Sequence, residues 1–202
     1  MGCDSSKTAA VVDENAGSPR GSLENGTTGF TELQVDIIRS TWPILEHGRL
    51  KHGCDIFIDI FNAEPKVKQL FSFRKLEGEK LLNDPVFLGH AGGFLEIVDQ
   101  VAKHLIEGDL ESKIGPNLMM LGAKHAAIQG FDLYYVEIFT KCMHFTWGNV
   151  LGEEYTEDVR DAWAAVFEYV VKKMQDGYFL YKDDQKNDNV FHSTSQYEFI
   201  HR

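Results

Sequence analysis

Apolar residues recur at steps of three and four along most of the chain, and no stretch alternates apolar with polar over the length of a strand. The pattern therefore predicts helices throughout. The first opens at Phe30-Thr31-Glu32-Leu33-Gln34-Val35, where Thr31 and Gln34 have the spacing of a capping box and Phe30 and Val35 that of a hydrophobic staple. It should run to about Leu45. A second apolar series, Leu50 to Phe61, passes through Cys54, Phe57 and Ile58 and breaks at Ala63-Glu64-Pro65, because the residue before a proline is steered out of the helical region. Val67, Leu70, Phe71 and Phe73 then form a compact apolar corner, and the charged run Arg74 to Lys80 reads as loop or a short irregular helix.

Asp84-Pro85 places a proline at a first helical position and opens a helix carrying Phe87, Phe94, Ile97, Val98, Val101 and Leu105, which Gly108 should end. Beyond Pro116 a short helical piece spans Leu118 to Ala126, and a longer one runs from Phe131 to Trp147 with Tyr135, Ile138, Phe139 and Cys142 on one side. The last helix has the clearest period, through Val159, Trp163, Val166, Phe167, Val170, Val171 and Met174, with Gly177 as its expected stop. The class predicted is all-α, with about six to eight helices in one domain over residues 30–181. Residues 1–29 are rich in Ser, Gly, Thr, Asn and Asp and poor in bulky apolar side chains, the composition of a disordered tether. Residues 182–202 return to polar and charged positions and read as a polar tail.

Twenty Lys+Arg stand against 31 Asp+Glu, a net charge of -11, and no stretch gathers enough basic residues to overturn that balance. Such a chain repels a polyanion, so nucleic acid is excluded as an expected partner. Cys3, Cys54 and Cys142 belong to no CxxC or Cys/His spacing, so neither a disulfide framework nor a zinc site is indicated. The chain opens Met1-Gly2-Cys3-Asp4-Ser5-Ser6, which matches the N-myristoylation pattern at Gly2, with Cys3 beside it as a palmitoylation site.

Two histidines stand out by context. His90 lies one turn before Phe94, on the face shared with Ile97 and Val101, and His125 sits in Leu121-Gly122-Ala123-Lys124-His125, near the end of a short helix. There an imidazole can present one nitrogen inward while its other N–H bonds a backbone carbonyl. An imidazole on each of two helices can face one planar metal cofactor shielded by the surrounding Phe, Leu, Ile, Val and Met, and haem fits that description. Taken singly, each fits a satisfied core or surface residue better than a ligand. His104 falls fourteen residues after His90, roughly 21 Å along one helix, too far to share an iron. The remaining histidines sit among polar neighbours or in the tail.

The order of these features resembles the globin family: Pro65 and then Phe71, Phe-Leu-x-His at Phe87 to His90, Leu-Gly-x-Lys-His at Leu121 to His125, and Ala162-Trp163 in a final amphipathic helix. The match runs from about Thr31 to Tyr181 and is most similar to the neuroglobin branch and to the acylated, membrane-attached globins called globin X. The resemblance implies a globin fold around a haem pocket, haem b as cofactor, His125 as proximal iron ligand and His90 as distal histidine. It also implies Phe71 stacked on the porphyrin, Phe57 facing the distal pocket and Trp42 and Trp163 as core. Two departures stand out. Phe94 replaces the smaller Val, Leu or Ile of most relatives and, with Phe57 opposite, crowds the space above the iron. Gly93 stands where several relatives carry a basic partner for a haem propionate, leaving Lys124 as a candidate.

What the resemblance implies about function is a haem globin, bis-histidyl and six-coordinate, acting in redox signalling or in O2 or NO sensing, with O2, NO, CO or nitrite as small ligands and a reductase as a partner. Its rivals are an oxygen storage or transport globin, a globin with nitrite reductase or NO dioxygenase activity, and a haem-free adaptor. The acylation pattern places the chain on the cytoplasmic face of a membrane, the plasma membrane being the first expectation.

Overall fold

The computed structural model describes residues 29–199. Among them the chain forms nine α-helices and no strand: α1 Glu32–Glu46, α2 Arg49–Ala63, α3 Pro65–Lys68, α4 Gly78–Leu82, α5 Pro85–Glu107, α6 Leu110–Lys113, α7 Gly115–Ala126, α8 Tyr134–Leu151 and α9 Glu157–Phe199, with a 3-10 turn at Gly152–Glu154 before the last. None of them is long and apolar enough to cross a membrane.

The helix starts follow the local chemistry. Thr31 Oγ1 accepts from Gln34 N–H at 3.2 Å while Gln34 Oε1 accepts from Thr31 N–H at 2.9 Å, so two of the amides that open α1 are satisfied reciprocally. Phe30, just ahead of this box, is buried with its ring edge-on to Tyr169 of α9. Asp84 caps α5 by accepting from Val86 N–H and Phe87 N–H, Pro85 takes the first helical position, and Gly108 ends the helix at φ 80°.

The helices wrap one core. α2 packs against α5 and α8, α1 against α5, α8 and α9, and α7 along α9. Three tryptophans from α1, α8 and α9 meet at the centre: Trp163 lies 5.8 Å from Trp42 and 5.6 Å from Trp147, centroid to centroid. Trp163 donates its indole N–H to Thr41 Oγ1, and Trp42 donates to Asp99 Oδ1 on α5. The core reading of Trp42 and Trp163 holds, since both are buried.

Two boundaries differ from the sequence pattern. α8 begins at Tyr134, because Phe131 and Gly130 belong to the turn that closes the preceding loop. More consequentially, α9 does not stop at Gly177 but continues as helical backbone to Phe199, through the segment read as a polar tail. The glycine serves a helix crossing instead: a Cβ at Gly177 would stand 1.8 Å from the carbonyl oxygen of Met119 on α7. The polar residues that follow contain no proline and include an i,i+3 pair between Asp183 and Lys186, so nothing there breaks a helix.

The N-terminal calls, the tether and the acylation pair Gly2 and Cys3, lie outside the described residues.

Candidate functional site

α2, α5, α7, α8 and α9 enclose a cavity of about 300 Å³, within the usual size range for bound small molecules and cofactors. Its wall is almost wholly apolar: Phe57 and Ile60 from α2, Phe71 from the loop after α3, Phe94, Ile97 and Val101 from α5, Tyr135 and Phe139 from α8, and Val166, Phe167 and Met174 from α9. Against this background two imidazoles line the cavity from different helices, His90 of α5 and His125 of α7.

His125 occupies the last turn of α7 and its Nδ1–H donates to the Leu121 carbonyl one turn back at 2.8 Å. That bond holds the ring and fixes the tautomer, so Nε2 carries the free lone pair, the arrangement a metal-ligating imidazole requires. Phe131, in the turn after α7, lies 5.0 Å from the ring and limits its rotation from the other side.

His90 is held by aromatic edges rather than by a hydrogen bond. Phe57 and Phe71 meet its ring in T-shaped contacts at 5.0 and 4.9 Å. The side chain keeps surface open to the cavity, yet the apolar groups around it lower its pKa by desolvation, and the charge His125 would carry lowers it further. At neutral pH His90 is therefore the neutral base, with a lone pair available to a metal.

All five residues singled out for the pocket, His125, His90, Phe71, Phe57 and Phe94, line this one cavity. Phe94 crosses Phe139 at 4.4 Å and stands 6.1 Å from Phe57, so three aromatic rings from three helices form a wall beside His90. Lys124 is exposed and does not reach the cavity, whose lining contains no Lys or Arg among the described residues. Of the other histidines, His52 is buried with Nδ1 against the Leu45 carbonyl, and His104 lies at the far end of α5 bonded to Asp109. Neither belongs to the site. Sequence reasoning missed Phe131 and Phe167 as cavity-lining groups: Phe131 lies in a turn with no period to mark it, and Phe167 was legible only as one more core position.

The donor set fits haem. An apolar slot lined by imidazoles from two helices, one of them tautomer-locked by its own helix, would offer an iron porphyrin nitrogen ligands and a surround that excludes water.

The comparisons agree with this geometry. The globin family model matches residues 54–174, and the chain belongs to the globin family. It is 28% identical over 151 residues to a neuroglobin of Danio rerio, covering 74% of this chain and 92% of that one. It is equally 28% identical over 145 residues to the anaerobic nitrite reductase AHB2 of Arabidopsis thaliana, covering 72% and 91%. Among solved structures, a hexacoordinated haem protein from an anhydrobiotic tardigrade superposes with a TM-score of 0.68 at 22% identity, over 75% of this chain and 96% of that one, a likeness of fold. Family membership implies haem as the group for the cavity.

Proposed function

We propose that this chain is a bis-histidyl globin holding haem b, with His125 as the proximal ligand and His90 as a displaceable distal ligand, and that it works in redox signalling or gas sensing. The observation that carries the reading is the pair of imidazoles facing one cavity, His125 with its free Nε2 and His90 kept neutral by an apolar surround. Bound there, haem supplies an iron that changes oxidation state and takes a small ligand.

This chain's residues set the conditions for that chemistry. His125 presents Nε2 while Leu121 holds its Nδ1 proton, which raises the ligand's basicity. Phe71, Phe57 and the aliphatic wall from α5 and α9 exclude water. His90 would be the second imidazole available to the iron, and its N–H would be the hydrogen-bond donor on that side of the cavity toward a small ligand. No CxxCH attachment sequence is present, so the haem is held by ligation and packing alone.

A position at a membrane, through myristate on Gly2 and palmitate on Cys3, belongs to the same proposal. It favours a signalling role, because a tethered protein gains nothing from diffusion as a carrier must. The similarity to a plant protein named as an anaerobic nitrite reductase favours one second reading, reduction of nitrite at the same iron with an external reductase as electron source.

Absorption spectra of the purified, haem-reconstituted chain, ferric and dithionite-reduced, test the reading. Low-spin spectra in both states are expected, with haem lost from His125→Ala. A chain that remains colourless after reconstitution, or a high-spin ferrous spectrum that His90→Leu leaves unchanged, overturns it.

A further inference from the structure

Behind the cavity wall a second pair of side chains has chemistry that the haem site does not use. Tyr155, in the turn between the 3-10 segment and α9, places its hydroxyl 2.5 Å from Nδ1 of His144 on α8, a hydrogen bond that the hydroxyl donates when the imidazole proton is on Nε2. The contact is built by the backbone. Gly148 lies one turn beyond His144, and a Cβ there would meet the Tyr155 ring at 3.3 Å, so the phenol lies flat along α8 and its oxygen reaches the imidazole.

Both partners are tuned for a shared proton. Burial, helped by Arg160 and opposed by Asp161, lowers the His144 pKa, so the imidazole is neutral and in its Nε2–H tautomer offers the Nδ1 lone pair. Burial likewise pushes the Tyr155 phenol up to about 12, so at neutral pH the proton rests on oxygen. The imidazole in turn stacks edge-on against Phe167 at 5.1 Å, and Phe167 is part of the cavity wall. A continuous aromatic line thus runs from Tyr155 through His144 and Phe167 to the cavity.

We infer that Tyr155 and His144 form a proton-coupled one-electron donor that delivers an electron to the cavity when a peroxide oxidises the haem there; the inference rests on the haem reading above. Oxidation of a phenol gives a radical cation that is strongly acidic, so the electron leaves readily only where a base stands ready for the proton. Here the O–H bond of Tyr155 breaks, the proton enters the Nδ1 lone pair of His144, and the electron passes by way of His144 and Phe167. Reduction of hydrogen peroxide to two waters breaks its O–O bond and consumes two electrons and two protons. The protons come from solvent, one electron from the haem iron and the second from Tyr155.

Other aromatic groups either lack a proton-accepting partner or sit further from the wall; Tyr169 donates to the Glu111 carboxylate, but its ring meets Phe30, which is not part of the cavity lining. Tyr135 lines the cavity itself, but its hydroxyl has no hydrogen-bond partner among the described residues. Trp147, 6.3 Å from Phe167, is buried with its indole N–H unpaired, and a radical cation there would be a buried, unpaired charge. Trp42 does donate to a carboxylate, but Trp163 stands between it and Phe167, which adds a transfer step.

The test uses ferric, haem-loaded full-length chain, with uptake verified by its Soret band, mixed with hydrogen peroxide and frozen for electron paramagnetic resonance. A tyrosyl signal is expected, lost in Tyr155→Phe, reduced more than fivefold in His144→Gln, whose amide cannot take the proton, and retained in Tyr135→Phe. The Soret band and the melting temperature of the three variants show that each is folded and loaded. A tyrosyl signal that survives Tyr155→Phe, or a tryptophanyl signal in its place in the wild type, overturns this inference and leaves the haem reading standing. A chain that takes up no haem overturns both.

Discussion

Gly122 of α7 lies so close to α9 that a Cβ on it would fall 1.9 Å from the carbonyl oxygen of Met174, and Gly177 of α9 returns the contact on Met119 of α7. The two glycines bring the backbones of these helices together, and they do so three residues before His125. Where the His125 imidazole stands in the cavity therefore depends on a notch that no side chain fits.

Gly122→Ala puts a methyl group inside a carbonyl's van der Waals radius, and the obstacle is backbone, which cannot swing aside. A loss of about 3 kcal/mol of stability is expected, together with faster haem loss as α7 is pushed off α9. Gly89→Ala on α5 is the matched control, since nothing lies within 4 Å of the added carbon, and the better helix former should stabilise by about 0.5–1 kcal/mol. Thermal unfolding of the two variants side by side checks both signs.

His90→Leu should convert the reduced protein from a low-spin to a high-spin spectrum and raise its apparent affinity for CO. The gain measures how often His90 holds the sixth position: a ligand-ready fraction of about one in ten in the wild type gives about a tenfold change. Stopped-flow CO binding supplies the number.

Phe94→Val thins the aromatic wall that Phe94 builds with Phe139 and Phe57. Half-buried, the ring contributes on the order of 1–3 kcal/mol, which the smaller side chain forfeits. The opened space should speed association of CO after flash photolysis. An unchanged rate would show that ligands enter without passing this wall.

Glu111 of α6 accepts from Lys173 Nζ at 2.5 Å and from the Tyr169 hydroxyl at 2.9 Å, tying α6 to α9. The bond from Lys173 is the main reason that its pKa falls below the ordinary glutamate value, with Tyr169 adding to it and partial burial opposing. A carboxylate whose folded pKa is depressed stabilises the protein above its unfolded pKa, near 4.5, and that contribution disappears as pH falls through the lower folded value. Glu111 is half exposed, so solvent screening holds the effect to about 1 kcal/mol or less. Denaturant midpoints between pH 7 and pH 3 should show a difference from Glu111→Gln at neutral pH that shrinks toward zero at the acid end.

Membrane attachment should require both Gly2 and Cys3. One myristoyl chain binds a bilayer only marginally, with an association constant on the order of 10⁴ M⁻¹, so a second signal is needed. A polybasic patch cannot be that signal: Lys7 and Arg20 are the cations of residues 1–30, against Asp4, Asp13, Glu14 and Glu24. On cell fractionation the wild type should sediment with membranes, Gly2→Ala should be soluble, and Cys3→Ser should be mostly soluble. Equal retention of all three would place any anchor elsewhere.

What the sequence determined by itself was whatever rests on neighbours along the chain. The Thr31–Gln34 box, the Asp84 cap with Pro85, the Gly108 terminus and the amphipathic periods of α5 and α9 all involve partners within a few residues, so their physics is written locally. The candidate ligands were legible for a related reason, because an imidazole on an otherwise apolar helix face has few uses. Gly177 was misread because a glycine that ends a helix and a glycine that lets a second helix approach look alike until Met119, 58 positions earlier, is known to lie against it. Only the tertiary structure decided that His90 and His125, on separate helices, share one cavity, that Phe131 abuts the proximal ring, and that Tyr155 meets His144 across a turn. Each of these depends on how helices cross, and a crossing is set by the fit of two surfaces, which no single stretch of sequence contains.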